Sequence, residues 1–241
     1  MKPQINVGVA GWSVPKQYAE HFLNEGSHLE RFARTFTGVE INSSFYRPHK
    51  PATYERWAKS VPDDFKFSVK LPKEITHTRK LIDCEDLLHK FLFEVGHLGE
   101  KLGPVLVQFP PSFPYYDIVG EFLEYFRDHF SGDIVCEPRH ETWADADANE
   151  LLKELRIARV AADPVRFPGG DEPGGWRGLE YWRLHGSPKV YYDSYSEEFL
   201  KELSQKLLKT DVLKWCVFDN TATFGAVENG LRMLELLKEN R

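Results

Sequence analysis

Two periods of apolar residues alternate along the chain. Short runs rich in β-branched and aromatic residues, at 5–10, 38–42, 65–70, 105–109, 133–137, 158–162, 180–185 and 214–219, read as eight strands. Between most of them apolar side chains return every three or four residues, the spacing of one helix face. Leu29, Phe32, Ala33 and Phe36 form one such stripe. Tyr54, Trp57 and Ala58 follow Pro51, a favourable first-turn residue. Leu87, Leu88, Phe91, Leu92, Val95 and Leu98 make a longer stripe. Phe122, Leu123 and Phe126 come next, then Leu151, Leu152 and Leu155, then Phe199, Leu203 and Leu207. Leu231, Leu234, Leu236 and Leu237 close the series.

Strand and helix alternating over 241 residues predict an α/β fold with parallel sheet and outer helices. Eight such units match the size of a single-domain (β/α)8 TIM barrel, here spanning residues 1–241. One unit is defective. Between Asp163 and Glu180 the chain reads PVRFPGGDEPGGWRG, so a long Gly/Pro loop is expected in place of the sixth helix. The alternative is a doubly wound open sheet, which needs no closure between its first and last strands.

If helices cover the outer face of a barrel, the apolar parity of each strand points outward and the polar parity inward. In GVEIN, Val39 and Ile41 then face out, and Glu40 and Asn42 face in. Phe65, Phe67 and Val69 face out against Ser68 and Lys70; Val107 and Phe109 face out against Gln108. Glu137 shares a face with Val135. In YWRLH, Trp182 and Leu184 face out, and Tyr181, Arg183 and His185 face in. The polar positions gather at the C-terminal ends of the strands, where barrels of this kind place their sites. The expected mouth holds three acids (Glu40, Glu137, Asp163) and three bases (Lys70, Arg139, Arg183), with His140 and His185 nearby.

Composition narrows the function classes. The chain is 41% hydrophobic and 28% charged, ordinary for a globular protein, and 14% aromatic, which is rich. No run approaches a membrane span, and Met-Lys-Pro-Gln leads into the first strand without a signal-peptide pattern, so no membrane partner is expected. A net charge of −6 gives no global attraction to nucleic acid. Three dispersed cysteines, Cys84, Cys136 and Cys216, predict reduced thiols and a cytoplasmic setting. There is no CxxC, Walker A or GxGxxG pattern, so neither a thiolate zinc site nor a cofactor is expected.

The candidate chemistry lies in four stretches, three of them with a structural reading beside it. CEPRHETW (136–143) combines a carboxylate at a strand end with Arg139, His140 and Trp143: an acid/base pair beside an anion fork, or an ion pair that only fixes the mouth. RLHG (183–186) offers His185 as a general base or as a satisfied core histidine. Lys70 is a candidate Schiff-base amine, or simply the neighbour that neutralises Glu40. KLPKEITHTRKL (70–81) adds His77, Arg79 and Lys80 to a local positive rim, or is simply a solvated loop. FDNTATFG (218–225) runs into a helix whose first N–H groups suit a phosphate. Aromatic residues in the same loops, among them Trp12, Phe45, Tyr46, Trp143, Tyr191 and Tyr192, suit a sugar or a nucleobase, or pack the loops down.

Several of these stretches, with others, form an ordered set. GW (11–12), VEINSSFY (39–46), FKFSVKLPKEITH (65–77), LGPVLVQFPPSF (102–113), EPRHETW (137–143), YWRLHG (181–186) and FDNT (218–221) resemble the YecE-like family, also called domain of unknown function 72, over nearly the whole chain. The resemblance implies a TIM barrel and brings no established reaction. It is also associated with a distant fold-level likeness to metal-dependent barrels that incise DNA at abasic sites. The pattern falls on Trp12, Glu40, Asn42, Tyr46, Lys70, His77, Gln108, Glu137, Arg139, His140, Trp143, Arg183, His185 and Asn220. Asp219 stands where members commonly carry asparagine or another polar residue, and Pro138 where an aromatic is common.

The expected function is a hydrolase or lyase acting on a phosphate- or sugar-containing substrate, with nucleic acid as a further candidate. Glu137, His185, His140 and Glu40 are the expected catalytic groups. Lys70, Arg139 and Arg183 are expected to hold an anion, with Trp12, Asn42, Tyr46, His77, Gln108, Trp143 and Asn220 completing the substrate site. Two alternatives stand beside it: a divalent-metal nuclease of the abasic-site type, and a non-catalytic binding module.

Overall fold

Seven of the eight runs expected to be strands form one each, at or within a few residues of the expected place, and the eighth, 158–162, forms two. The computed structural model describes residues 4–240; Met1–Pro3, part of the stretch read for a signal peptide, lie outside the described residues. The strands are β1 (Ile5–Val9), β2 (Gly38–Ile41), β3 (Lys66–Lys70), β4 (Leu102–Gln108), β5 (Ile134–Glu137), β6 (Ile157–Arg159), β7 (Ala161–Asp163), β8 (Gly174–Gly175), β9 (Leu179–Leu184) and β10 (Leu213–Phe218). The helices are α1 (His28–Ala33), α2 (Pro51–Lys59), α3 (Glu85–Val95), α4 (Asp117–His129), α5 (Ala146–Glu154), α6 (Glu197–Leu207) and α7 (Gly225–Glu239). No helix lies between β7 and β9, where the Gly/Pro loop runs and contributes β8 instead. Among the described residues no helix is long and apolar enough to cross a membrane.

Local chemistry sets the helix ends. Ser27 caps α1 through a reciprocal pair: its hydroxyl accepts from the Glu30 N–H, and Glu30 Oε2 accepts from the Ser27 N–H at 2.7 Å. The stripe expected to run through Leu98 is cut at Val95. The chain continues as a 3-10 turn, Gly96–Lys101, inside which Gly99 has φ 55°. On α4, Val119, Phe122, Leu123 and Phe126 are buried at helical spacing, each worth about 1.5–3 kcal/mol when fully removed from water.

The strands form one α/β domain with two sheets rather than the single closed sheet expected. One sheet has the order β1-β10-β9-β7, the other β2-β3-β4-β5-β6-β8. All pairings are parallel except β6 with β8. The first and last long strands, β1 and β10, are neighbours, with Val7 opposite Cys216. A single open sheet with β1 and β10 at opposite edges is therefore not the arrangement, and neither of the two sheets closes on itself.

Both interruptions have a local cause. Between β1 and β2 the Thr37 hydroxyl accepts the Val7 N–H at 2.8 Å, in place of a strand carbonyl. Gly8 also meets Gly38 so closely that a Cβ at Gly8 would stand 2.4 Å from the Gly38 oxygen. A single parallel bridge, Ala10 with Glu40, joins the two strands further on. The expected sixth strand splits at Val160. Before it the chain pairs with β5, and after it with β9.

Two apolar clusters follow the parity of the strands. The larger packs sheet against helices and includes Val39, Ile41, Phe67, Val69, Val107, Phe109, Trp182 and Leu184, the residues expected to face outward. The smaller draws on both sheets: Leu106, Val135, Ala158, Val160, Leu179, Tyr181, Trp215 and Val217. Trp215 fills space that side chains at Gly38 and Gly103 would take. Cys84, Cys136 and Cys216 are free and buried.

Candidate active site at the strand ends

Two residues beyond the smaller apolar cluster, the same strands turn polar. Gln108, Glu137, Arg183 and Asp219 follow Leu106, Val135, Tyr181 and Val217 at i+2, the next position on the same face of a strand. A polar layer thus lies against an apolar one, and both sheets contribute to it.

Arg183 is its centre. It is fully buried and grips Glu40 across the two sheets, Nη2 to Oε1 at 2.7 Å and Nε to Oε2 at 2.9 Å. Its Nη1 reaches Glu137 Oε2 at 3.2 Å and its Nη2 lies 3.0 Å from Asp219 Oδ2. The Tyr181 hydroxyl lies 3.0 Å from both Glu40 Oε2 and Ser68 Oγ, and Ser68 donates to the Pro104 carbonyl. Burial and the neighbouring Glu40 charge push the Tyr181 hydroxyl far above its usual range. Both Glu40 oxygens are therefore occupied.

Glu137 holds the other half. Gln108 Nε2 donates to its Oε2 at 2.9 Å, and Arg139 Nε donates to its Oε1 at 2.9 Å. Burial pushes the Glu137 carboxyl up, but Arg139, His185 and Arg183 outweigh it and hold it well below the ordinary carboxylate value. Asp219 is also held low: Arg183, His185 and Lys70 outweigh its burial.

His185 lies between these two acids. Its Nδ1 is 3.0 Å from Asp219 Oδ2, and its Nε2 is 2.9 Å from Glu137 Oε1. Arg139 Nη2 is also 3.0 Å from Nε2. That nitrogen has a donor and an acceptor within reach. With a proton it donates to Glu137; without one it accepts from Arg139. Both protonation states of the ring are satisfied by the same set of atoms.

Lys70 is the uncommitted charge. It is buried, its ammonium sits 4.0 Å from the centre of the Phe45 ring, and that ammonium makes no hydrogen bond or ion pair among the described residues. Burial, with the Arg183 charge, lowers its pKa to about 8 despite the pull of Glu40, Glu137 and Asp219. Glu40, Glu137 and Arg183 have no exposed surface, whereas Lys70, His185, Asp219 and the Arg139 side chain keep a small share. Those four form the accessible side.

The loops around this layer are built to hold it. Gly186, at φ 93°, ends β9 in a turn; its N–H donates to the Tyr195 hydroxyl, and a Cβ there would stand 2.8 Å from the Asp193 oxygen. Tyr191, at φ 70°, brings its ring edge-on to His185 at 5.8 Å.

The other expected site residues fall in different places. His77 stands edge-on to Phe45 at 5.0 Å, and burial together with Lys70, Lys73 and Arg139 pushes it down to about 4. Asn42 follows β2 with its Oδ1 buried and unpartnered. Asn220 donates to Asp193 O and Asn229 Oδ1, which ties the loop after β10 to α7. Trp12 packs edge-on against Trp57, and Tyr46 is largely exposed beside Phe45. His140 is turned away from the cluster: its Nδ1 accepts from the Thr142 N–H and caps the short turn Glu141–Ala144. Trp143 is 1% exposed, stacked on Phe109 and edged by Tyr115, so it has no face for a ligand.

The third acid of the cluster is Asp219, not Asp163 as expected. Asp163 ends β7 and accepts from the Tyr195 hydroxyl at 2.9 Å. Asp219 was legible in principle, because Phe218 faces the helices and the next residue must face the other way.

The comparisons agree with the ordered motifs. Residues 6–241 match the family described as "Protein of unknown function DUF72". The UPF0759 protein YecE of Escherichia coli K12 is 33% identical over 167 residues, 66% of this chain; the chain spans only 59% of that protein's length. The UPF0759 protein YunF of Bacillus subtilis 168 is 27% identical, with 97% of this chain and 94% of that protein covered. Among solved structures, a DUF72 family protein of Enterococcus faecalis V583 superposes with a TM-score of 0.83 at 21% identity, covering 98% of this chain and 96% of that one.

Proposed function

The chain belongs to the DUF72 family, and we propose that its strand-end cluster is an active site for hydrolysis or elimination on a small phosphate- or sugar-containing substrate. The observation that carries this reading is the double partnering of His185 Nε2, by Glu137 Oε1 at 2.9 Å and Arg139 Nη2 at 3.0 Å. A proton can arrive at or leave that nitrogen without stranding a buried group, which is what general acid–base catalysis needs. Asp219 holds the opposite ring nitrogen and sets the ring's orientation.

In this reading Lys70 and Arg139 hold the substrate's anionic group. In hydrolysis, His185 takes a proton from the attacking water as the new bond to the substrate forms. It returns that proton to the leaving oxygen as the old bond breaks. Glu137 and Asp219 stabilise the charged ring between the two events. Glu40, whose oxygens are both occupied by Arg183, is a positioning residue, as are Gln108 and Tyr181. A cytoplasmic setting accords with three free thiols.

The reading takes the two sheets as parts of one (β/α)8 cylinder with the site at its C-terminal mouth. The pairing of β1 with β10, the Ala10–Glu40 bridge and the change of partner at Val160 support it. A non-catalytic network is the second reading, favoured by the Arg183–Glu40 grip, which leaves neither group free. The metal-dependent nuclease draws no comparable support. The acids are already bonded to guanidinium or imidazole, and among the described residues no three His, Cys, Asp or Glu side chains are grouped as a ligand set.

Thermal denaturation with a panel of sugar phosphates and inorganic phosphate tests the reading. Ligands that fit raise the melting temperature of the wild type, and the rise is lost in Lys70→Met. No stabilisation by any member, or equal stabilisation of the variant, argues for the structural network instead.

A further inference from the structure

Beside the strand-end cluster, the segment after β2, the segment after β3 and helix α3 enclose a separate cavity of about 340 Å³. This is within the range of small-molecule pockets. Phe45, Pro72, Leu87 and Phe91 give it apolar walls. The segment after β3 is a single π-helical turn, Glu74–Thr78, a rare conformation that concentrates at functional sites.

The polar groups of the cavity are arranged unequally. Glu94 lines it and is only 9% exposed, and its carboxylate makes no hydrogen bond or ion pair among the described residues. Burial raises its pKa against the opposing charge of Lys90. Its side chain is largely packed, but the carboxylate takes no donor from the protein and its oxygens are not sealed off, so on a cavity wall it is open to a ligand that donates to it. Arg47, Lys73 and Lys90 also line the cavity. They are exposed and have no carboxylate within ion-pair distance among the described residues, whereas Glu74 is already paired with Arg79 at 3.3 Å. The cavity thus combines apolar walls, three exposed cations and one largely buried acceptor.

We infer that this cavity binds a nucleoside monophosphate: a planar ring between the apolar walls, its exocyclic amine donating to Glu94, its phosphate against Arg47, Lys73 and Lys90. A carboxylate is a natural acceptor for a base amine, and clustered cations supply the phosphate contact. The ring that divides this cavity from the cluster is Phe45, which lines the one and carries the Lys70 ammonium of the other. The two sites touch without sharing a charged residue.

Isothermal titration calorimetry on the full chain with GMP, CMP, UMP and guanosine tests the inference. GMP and CMP bind, UMP, which lacks an exocyclic amine, binds at least tenfold more weakly, and guanosine loses the phosphate contribution. Glu94→Gln weakens GMP at least tenfold, and His185→Gln in the strand-end cluster leaves it unchanged. If Glu94→Gln unfolds, the exposed pair Lys73→Glu and Lys90→Glu reads the same site, weakening GMP but not guanosine. No binding by any of the four, an equal affinity for UMP and GMP, or a loss of GMP binding in His185→Gln overturns the inference. The last result would assign the nucleotide to the strand-end cluster and leave the proposed active site standing.

Discussion

His185 Nε2 lies 2.9 Å from Glu137 Oε1, and this contact joins the ends of two strands that belong to different sheets. Around it, carboxylates and cations of β2, β5, β9 and the residues that follow them neutralise one another in near-complete burial. The inner part, Arg183 with Glu40, is sealed; the outer part, His185 with Lys70 and Arg139, reaches the surface. Structure and reactivity are thus divided within a single network.

Removing one member of the sealed pair leaves an uncompensated buried charge. Glu40→Ala is expected to cost about 3–5 kcal/mol, and Arg183→Met more, because Arg183 also serves Glu137 and Asp219. Arg183→Lys is not expected to restore the loss, because an ammonium cannot reproduce the two-pronged contact. Urea denaturation followed by tryptophan fluorescence measures all three.

Lys70 gives the protein a pH signature. Its folded-state pKa is about 8 against 10.5 for the free side chain. Between those values the unfolded chain holds a proton that the folded one has released, so this group makes stability rise with pH from about 8 to 10.5. The rise is absent in Lys70→Met. Anion binding runs the other way: affinity for sulfate, whose charge is constant here, falls as pH passes about 8 in the wild type and stays flat in the variant. Glu137 acts at the acid end. Its carboxyl is depressed, so its contribution is present above the ordinary carboxylate value and is lost as pH falls below it.

The junction of the two sheets rests on a bare backbone contact. Gly8→Ala places a methyl 2.4 Å from the Gly38 carbonyl oxygen, which belongs to backbone and cannot swing aside. A loss of about 1–3 kcal/mol is expected from thermal unfolding. Gly96→Ala is the control: it sits in a helical conformation with nothing within 4 Å, so it is expected to be neutral or mildly stabilising.

Strand parity was legible because its period is two and helices cover one face. Val39 and Ile41 went to the helices, and Glu40 to the cluster, as the alternation in GVEI requires. Helix stripes were legible for the same reason at a longer period. What escaped depends on contacts distant in sequence. The split at Val160 follows from a change of partner, and it directs Asp163 to Tyr195 while Asp219 completes the network. Trp143 and His140 sit in a motif dense with chemistry, yet packing on Phe109 and a local cap on Thr142 decide their roles. The Glu94 cavity had no signal at all, since a single acid in an apolar helical stripe reads as solvated.

Turnover of phosphorylated sugars and nucleotides by the wild type and by His185→Gln, followed by phosphorus and proton NMR, bears most directly on the proposed chemistry. Wild-type protein is expected to convert at least one of them, and the variant, folded to the same melting temperature, at a rate lower by a factor on the order of 100 or more. Equal rates in the two proteins, or a ligand bound at the strand ends and never converted, would contradict the assignment of His185 as the proton-transferring group.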